Sequence, residues 1–527
     1  MSKIEPAPFQ VEDMDALFER SWSANWSEMG CYKTSTVCWL IPRWAEQLGV
    51  DNPKVLIITT RSGKGTYFKH VPDLLPDYEL LNVNTSRINL VLGDMELEYG
   101  VPEANGHPII FVAHYNVFSK RKKKTKKTDE DIADAEDEKQ DNELNELEKL
   151  FAEILEEDKK AESKKINVLE ELKKIKWDIV VLDEAHRIKG RNTGWTREIK
   201  RLKSQIKHVM TGTGFINNPA EIWSLLHFLN KQEFTSYWRF REKYCDEAMD
   251  FVSGQRVILG INPKTKDEFR SLVRTIGPRR TKTEVFPNLP HPIYTPVEVE
   301  LNPVQRKMYD SIVQMLYAMD QDETPLVVPN ILAALQRTRQ VAVATPKVVR
   351  EYYDPVAART VQEIELVEPS SKLDAMMEII EGLEWDEERR DQVVVFSNFK
   401  DPIKLAIERF KKKGISYIEL KQSDNDRTRY EKWAIEFPKK EHQVFICTLQ
   451  LGSESISLTS ATTCIFLDRS WSPKDNDQGE SRVWRPGQES VANIIHIGAK
   501  DTVDLRVFDV NRIKKGWFID IFGDQSE

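Results

Sequence analysis

Trp177-Asp178-Ile179-Val180-Val181-Leu182-Asp183-Glu184-Ala185-His186 is the stretch on which the fold turns. A run dominated by branched apolar side chains, followed by two adjacent carboxylates, reads as a buried strand that ends in acid. At such a strand end the first carboxylate can hold Mg2+ through a water, and the second can take a proton from an attacking water. Two solvated acids at a strand terminus are the alternative, and the surrounding sequence decides between them.

Similar runs recur on both sides. Val55 to Thr60, Ile109 to Ala113 and Ile206 to Thr213 accompany the strand before Asp183, and a second group comprises Gln392 to Ser397, Ser416 to Leu420, Gln443 to Thr448 and Cys464 to Asp468. Short buried strands separated by helical patterns imply parallel sheets covered on both faces, so the chain is expected to be α/β with two lobes. Ligands of open α/β sheets bind beyond the carboxyl ends of the strands, where Asp183 falls. Between the lobes, roughly residues 215–370, the pattern is helical and rich in aromatic and charged residues, punctuated by Pro278, Pro287, Pro290 and Pro292. The expected division is a first lobe at residues 1–240, a helical protrusion and linker at 241–370, and a second lobe at 371–527.

The first lobe carries a charged insertion at about 119–166. Ser119 to Lys127 reads SKRKKKTKK, and Thr128 to Glu157 is strongly acidic. Within it Leu144, Leu147, Phe151 and Ile154 recur at helical spacing, so part of it can pair with Ile166 to Ile175 as an amphipathic hairpin. A solvated segment is the plain reading, and a basic arm that touches phosphate or serves as a nuclear targeting signal is the other.

Composition narrows the class. The chain has 527 residues, 40% hydrophobic and 31% charged, with no apolar run approaching the roughly 20 residues that span a bilayer. Met1 to Gln10 lacks the basic-then-apolar pattern of a signal peptide. The five cysteines are scattered, which suggests reduced thiols and no zinc cluster. A formal charge of −9 argues against a uniformly basic coat, while 76 Lys and Arg leave room for a local basic channel. A cytoplasmic location is expected, or a nuclear one in a eukaryote.

A second motif lies near the N-terminus. Glu28-Met29-Gly30-Cys31-Tyr32-Lys33-Thr34 precedes the apolar helix pattern of Ser35 to Ile41. Such a loop cradles phosphates with its main-chain N–H groups from Met29 to Thr34, with Lys33 on the β/γ oxygens and Thr34 on Mg2+. Tyr32 stands where phosphate loops have glycine, and a left-handed backbone there would cost about 1–2 kcal/mol. An ordinary helix start is the alternative. Ser62-Gly63-Lys64-Gly65-Thr66 looks similar but lacks the Lys-Thr pair, and is expected to be a loop.

The order of the segments resembles the Swi/Snf-related DNA translocases of helicase superfamily two, a DEAH-box type. Met210-Thr211-Gly212-Thr213-Gly214 to Leu226 is similar to that family's third motif, with Gly214 in place of proline. Arg279-Arg280-Thr281-Lys282-Thr283-Glu284-Val285 to Pro290 resembles its crossing segment, and Val394 to Phe399 its fourth motif. Leu451 to Thr459 resembles the fifth, with serines for two glycines. Gln478 to Gln488 resembles the sixth, in which Arg482 and Arg485, three apart, are expected to project the same way from one helical turn.

The resemblance implies two RecA-like lobes joined by a helical insertion, and ATP with Mg2+ between them. Asp183 would hold the metal with Thr34, Glu184 would activate water, and Arg482 and Arg485 would be fingers assisted by Gln478. It also implies Gln10 against adenine, and Thr59, Arg61, Ser397 and Thr448 on nucleic-acid backbone. Thr211, Gly212 and Thr213 would couple hydrolysis to movement. The implied function is a DNA-dependent ATPase that moves along double-stranded DNA, forked or single-stranded DNA being the variants, with no membrane and no zinc, in replication, recombination or repair. No reader domain, nuclease or zinc module flanks the lobes, so a compact bacterial or viral type of member is expected. A strand-separating helicase shares the same ATP site, and the departure at Tyr32 leaves room for a catalytically weak DNA-binding scaffold.

Overall fold

The computed structural model describes residues 5–84, 88–92, 95–99, 107–119, 168–215, 217–249, 254, 256–314, 318–319, 325–326, 331–354, 359–386, 390–452 and 456–523. The charged insertion beyond Ser119, with its expected hairpin, lies outside them, as do Ile216 and the residues from Ser453 to Ser455 of the fifth motif. Two compact bodies result. One comprises Met1–Ser23, Thr34–Met210 and Ser224–Thr235, and the other Ala24–Lys33, Thr211–Trp223 and Ser236–Glu527.

Among the described residues the first sheet has eight strands. In chain order they are β1 (Trp22–Asn25), β2 (Lys54–Thr59), β3 (Glu79–Val83), β4 (Ile88–Leu92), β5 (Met95–Tyr99), β6 (Ile109–His114), β7 (Trp177–Asp183) and β8 (Ser204–Met210). They lie in the order β1-β8-β7-β2-β6-β3-β4-β5. From β8 to β3 neighbouring strands run parallel, and β4 and β5 extend the sheet as an antiparallel hairpin. Residues Val55 to Ile58 and Ile179 to Leu182 are fully buried, which is why both strands read as unbroken apolar runs rather than alternating ones. Helix α1 (Pro8–Phe18) precedes β1, helix α2 (Lys33–Leu48) precedes β2, and helix α3 (Arg61–Leu74) follows β2. Helix α2 buries Val37, Cys38, Leu40, Ile41, Trp44 and Ala45, an apolar stripe at helical spacing that packs on Ile57, Val112 and Val181.

The expected loop at Ser62–Thr66 is instead the first half of α3. Thr60 caps it, its hydroxyl accepting from Gly63 N at 3.1 Å. That cap offsets the weak helix propensity of the two glycines.

The second sheet runs Ile293–Val299, Asn493–Ala499, Thr463–Phe466, Val393–Ser397, Val444–Thr448, Tyr417–Glu419, all neighbours parallel. Alternate residues feed opposite cores. Val393 and Val395 join Ile403, Ala406 and Phe410 on one face, whereas Val394 and Phe396 join Phe437 and Phe445 on the other. The chain thus has the expected α/β architecture of two RecA-like sheets with an intervening helical segment. Among the described residues that segment also holds three antiparallel ribbons, Cys245–Met249 with Arg256–Ile261, Ala318–Met319 with Pro325–Leu326, and Thr345–Asp354 with Arg359–Val367. Among the described residues no helix is long and apolar enough to cross a membrane.

Candidate functional site

In the first body the chain turns back at the edge between β2 and β7. After β2 the connections lead to β3 and β6 on one side, and then to β7 and β8 on the other. The crevice at such a reversal is where open α/β sheets bind ligands. The β2–β7 register pairs Ile58 with Leu182, which brings Thr59 level with Asp183. Thr59 Oγ1 donates to Asp183 Oδ2 at 2.9 Å, and Glu184 N donates to Asp183 Oδ1 at 2.9 Å. Tyr115 Oη fixes the main chain by donating to Asp183 O at 2.7 Å. Asp183 is therefore held by three separate donors, two on its carboxylate oxygens and one on its main-chain carbonyl.

Glu184 sits in the left-handed region at φ 50°, ψ 48°. A non-glycine residue held there costs roughly 1–3 kcal/mol, and such strain gathers where orientation matters. Its carboxylate Oε2 lies 3.1 Å from Nδ1 of the buried His186. On α3, Tyr67 is fully buried beside Asp183, Thr34 and Cys38, and burial, with Asp183 and Cys38 adding to it, pushes its phenol well above the usual value. Burial acts the same way on Tyr115, reinforced by Asp183. Neither tyrosine was singled out in the sequence, where aromatic residues in apolar runs carry no mark of a site.

Gln10 is buried and its amide is engaged at both ends. Nε2 donates to Ser35 Oγ at 3.1 Å and Thr36 Oγ1 at 3.0 Å, while Oε1 accepts from Ala7 N at 3.0 Å. These bonds latch Gln10 onto the first turn of α2. Thr59 is fully buried, its hydroxyl engaged by Asp183. Arg61 stays exposed at the start of α3. Together with Arg187 and Lys64 it faces His114, whose pKa falls to about 4, mainly through burial and then through these three cations.

In the second body the loop before Lys33 is clamped by the crossing segment. Trp26 N donates to Pro278 O and Glu28 N to Arg280 O, both at 2.9 Å, and Arg279 Nη1 donates to Trp26 O at 2.8 Å. Lys282 N donates to Glu28 Oε2 at 2.9 Å. Gly30 has φ +85°, which only glycine adopts freely, and a Cβ there would lie 3.8 Å from Pro486 Cδ. Tyr32 meets the left-handed condition posed by its position, with φ 54°. Its ring packs edge-on against Phe286 at 5.4 Å, and it lies near Arg485, whose pKa burial lowers and Tyr32 only partly restores. Burial raises the Cys31 thiol to about 12 and lowers Lys282 to about 8. Lys33 Nζ donates to Ser27 O and Glu28 O, each at 2.7 Å. In the same body Thr211 Oγ1 donates to Thr213 O at 2.8 Å across Gly212 and accepts from Thr213 N, which makes the triplet a closed turn.

Arg482 lies in the last turn of helix Pro473–Val483, and Arg485 lies beyond it, so the two do not share a helical turn as expected. They converge nonetheless. Arg482 Nη1 and Arg485 Nη1 both donate to Ile456 O, at 3.4 and 3.2 Å. Gln478, one helical turn before Arg482, is buried. Ser397 is fully buried, its hydroxyl donating to Asp468 Oδ1 at 2.6 Å, so it too is turned away from the surface. Asp468 also accepts from Asn398 N and faces Arg339 at 3.6 Å, a network the sequence did not disclose. Thr448, at the end of its strand, is half-buried and accepts from Leu451 N.

Residues 147–346 match the SNF2-related domain, and residues 371–487 match the helicase conserved C-terminal domain. The chain belongs to the Snf2-related family. Chromodomain-helicase-DNA-binding protein 8 of Danio rerio is 28% identical over 370 residues, covering 66% of this chain and 14% of that protein. For chromodomain-helicase-DNA-binding protein 7 of Homo sapiens the identity is 26% over 367 residues, covering 66% and 11%. This Snf2-related chain thus matches a small part of the length of those relatives. Among solved structures, the Sulfolobus solfataricus SWI2/SNF2 ATPase core in complex with dsDNA aligns at 20% identity over 99% of this chain and 94% of that one, with a TM-score of 0.40. The Lys33 loop lies before the matched SNF2-related segment.

Proposed function

We propose that this chain is an ATP-hydrolysing motor that moves along duplex DNA, remodelling DNA or protein–DNA complexes in replication, recombination or repair. The observation that carries this reading is the acid at the reversal of the first sheet. Asp183 has both oxygens aimed by hydrogen bonds, with a strained Glu184 next to it. The donor set suits Mg2+, since Thr34 and Asp183 offer hard oxygen and both border Tyr67. When bound, the ion would neutralise phosphate charge. Glu184 would take the proton of the attacking water, and Lys33 would sit on the β/γ oxygens.

Lys33, Arg482 and Arg485 rest on neutral main-chain carbonyls. A charged phosphate oxygen makes a stronger, charge-assisted partner, so exchange from carbonyl to phosphate is downhill. Gln478 would assist the arginines, and the Thr211–Thr213 turn would pass the change onward. Thr59, Arg61, Ser397 and Thr448 would contact nucleic-acid backbone, joined by Arg187, which like Arg61 lies near His114. Contacts to backbone phosphate would make binding salt-sensitive and largely indifferent to sequence.

Phosphate release by the purified chain, measured with duplex DNA, single-stranded DNA and RNA in parallel, tests the reading. Stimulation by duplex DNA that is absent from Lys33→Ala and Glu184→Gln is expected, together with eviction of a triplex-forming strand. Wild-type release no greater than that of these variants would support the second reading, a weak scaffold, which is favoured by the left-handed Tyr32. Robust displacement from a partial duplex without triplex eviction would make the chain a strand-separating helicase.

A further inference from the structure

Tyr67 lies on α3 directly after the Ser62–Thr66 segment, and the roles assigned so far do not use it. Its ring packs in the core with Val37, Cys38, Ile57 and Val71, which phenylalanine would do equally well. Its hydroxyl is buried and has no hydrogen-bond partner of good geometry among the described residues. The nearest polar groups are the Thr34 hydroxyl and the Asp183 carboxylate. Tyr115 provides a contrast, because its hydroxyl is satisfied on the main chain of Asp183.

We propose that the Tyr67 hydroxyl is a positioning group for the water shell of a magnesium ion held by Thr34 and Asp183, an inference that rests on the ATP-hydrolysing reading above. Mg2+ gives up its waters reluctantly, so a protein that binds it through few direct ligands must orient the waters instead. A buried hydroxyl next to both ligand candidates is placed to do so, and a bound water would also satisfy it.

The test is Tyr67→Phe, read by binding of a non-hydrolysable ATP analogue at stepped Mg2+ concentrations, alongside thermal unfolding of the same samples. The Mg2+ concentration at half-maximal binding is expected to rise about fivefold to tenfold, the size of one lost hydrogen bond. Binding without Mg2+ and the melting temperature should be unchanged. Wild-type binding that depends on Mg2+ with an identical midpoint in Tyr67→Phe overturns the Tyr67 role alone. A lower melting temperature with an unmoved midpoint assigns the hydroxyl to folding and also overturns it. Wild-type protein whose nucleotide binding ignores Mg2+ overturns the underlying reading as well.

Discussion

Gly63 and Gly65 lie two residues apart on α3 and should respond to alanine in opposite ways. A Cβ at Gly63 would fall 2.0 Å from Thr59 Oγ1 and 3.2 Å from Thr59 Cβ, whereas one at Gly65 meets nothing within 4 Å. Helix propensity alone favours alanine over glycine by up to about 1 kcal/mol at either site. At Gly63 the overlap adds an overpacking penalty of roughly 1–3 kcal/mol. Thr59 cannot yield without surrendering its bond to Asp183, and a hydrogen bond to a charged group is worth about 1.5–3 kcal/mol. Net destabilisation of roughly 2–5 kcal/mol is therefore expected for Gly63→Ala, against a gain of up to about 1 kcal/mol for Gly65→Ala.

Hydrogen exchange of peptides covering residues 54–74 reports the local effect even if the chain does not unfold as one unit. Protection there should fall in Gly63→Ala and hold or rise in Gly65→Ala, and ATPase activity should fall at least tenfold in the first and persist in the second. If Gly63→Ala matched Gly65→Ala in protection and activity, the close approach of α3 to Thr59 would be refuted, and with it the account of how Asp183 is aimed.

Three further outcomes follow from the same geometry. Thr59→Val keeps the shape of the side chain but removes the donor to Asp183, and should lower kcat about tenfold or more with DNA affinity unaltered in a salt-titrated binding assay. Glu184→Gly should abolish turnover yet leave stability unchanged or raised by up to about 1 kcal/mol in urea unfolding, since it releases a left-handed residue. His208 is fully buried beside Ser23 Oγ at 2.8 Å, and burial lowers its pKa to about 3, as burial lowers that of His114 to about 4. The unfolded chain takes up these protons first, near pH 6.5. Stability present above that pH should thus be lost as pH falls toward 4, by up to about 1.4 kcal/mol per unit for His208 and less for the partly exposed His114. Urea midpoints at pH 7.5, 6 and 5 measure the slope, and His208→Gln should flatten it.

Strands were legible because a doubly covered parallel sheet demands continuous apolar runs, and Val55 to Ile58, Ile179 to Leu182 and Val393 to Phe396 supply them. The acid at Asp183 was legible for the same reason, as polarity that breaks such a run at its end. What the sequence hid are partnerships across large separations. Nothing local marks that Glu28 is gripped by Arg279 and Lys282, or that Asp468 collects Ser397 and Asn398. The missing Lys-Thr pair also misled at Ser62 to Thr66, because the cap from Thr60 and the packing of Gly63 close to Thr59 make that segment the start of a helix all the same. Where Thr59, Ser397 and Gln10 were expected to reach outward to ligands, each hydroxyl or amide has a partner within its own body. A motif's residue types were thus recoverable, but the direction in which each side chain points was not.

Among the described residues four non-glycine residues adopt positive φ: Tyr32, Glu184, Lys440 and Asp501. Lys440 closes a helical turn and Asp501 lies in an exposed loop after a strand, positions where a left-handed residue merely reverses the chain. Tyr32 and Glu184 are different, because each immediately adjoins a residue whose chemistry needs aiming, Lys33 in one body and Asp183 in the other. Strain of this kind persists only where the surroundings over-determine it. For Glu184 the surroundings are His186 and the bond from Glu184 N to Asp183. For Tyr32 they are Phe286 and the clamped loop that Gly30 opens. Glycine would relieve both sites, yet at Tyr32 it would also remove the aromatic edge contact, worth about 0.5–1.5 kcal/mol, which nearly cancels the backbone relief. Tyr32 is therefore close to neutral for folding. If its presence alters turnover, the effect must act on the nucleotide or on Arg485, and a comparison of Tyr32→Gly with Tyr32→Phe separates the two: only the first frees the loop, while both remove the hydroxyl beside the guanidinium.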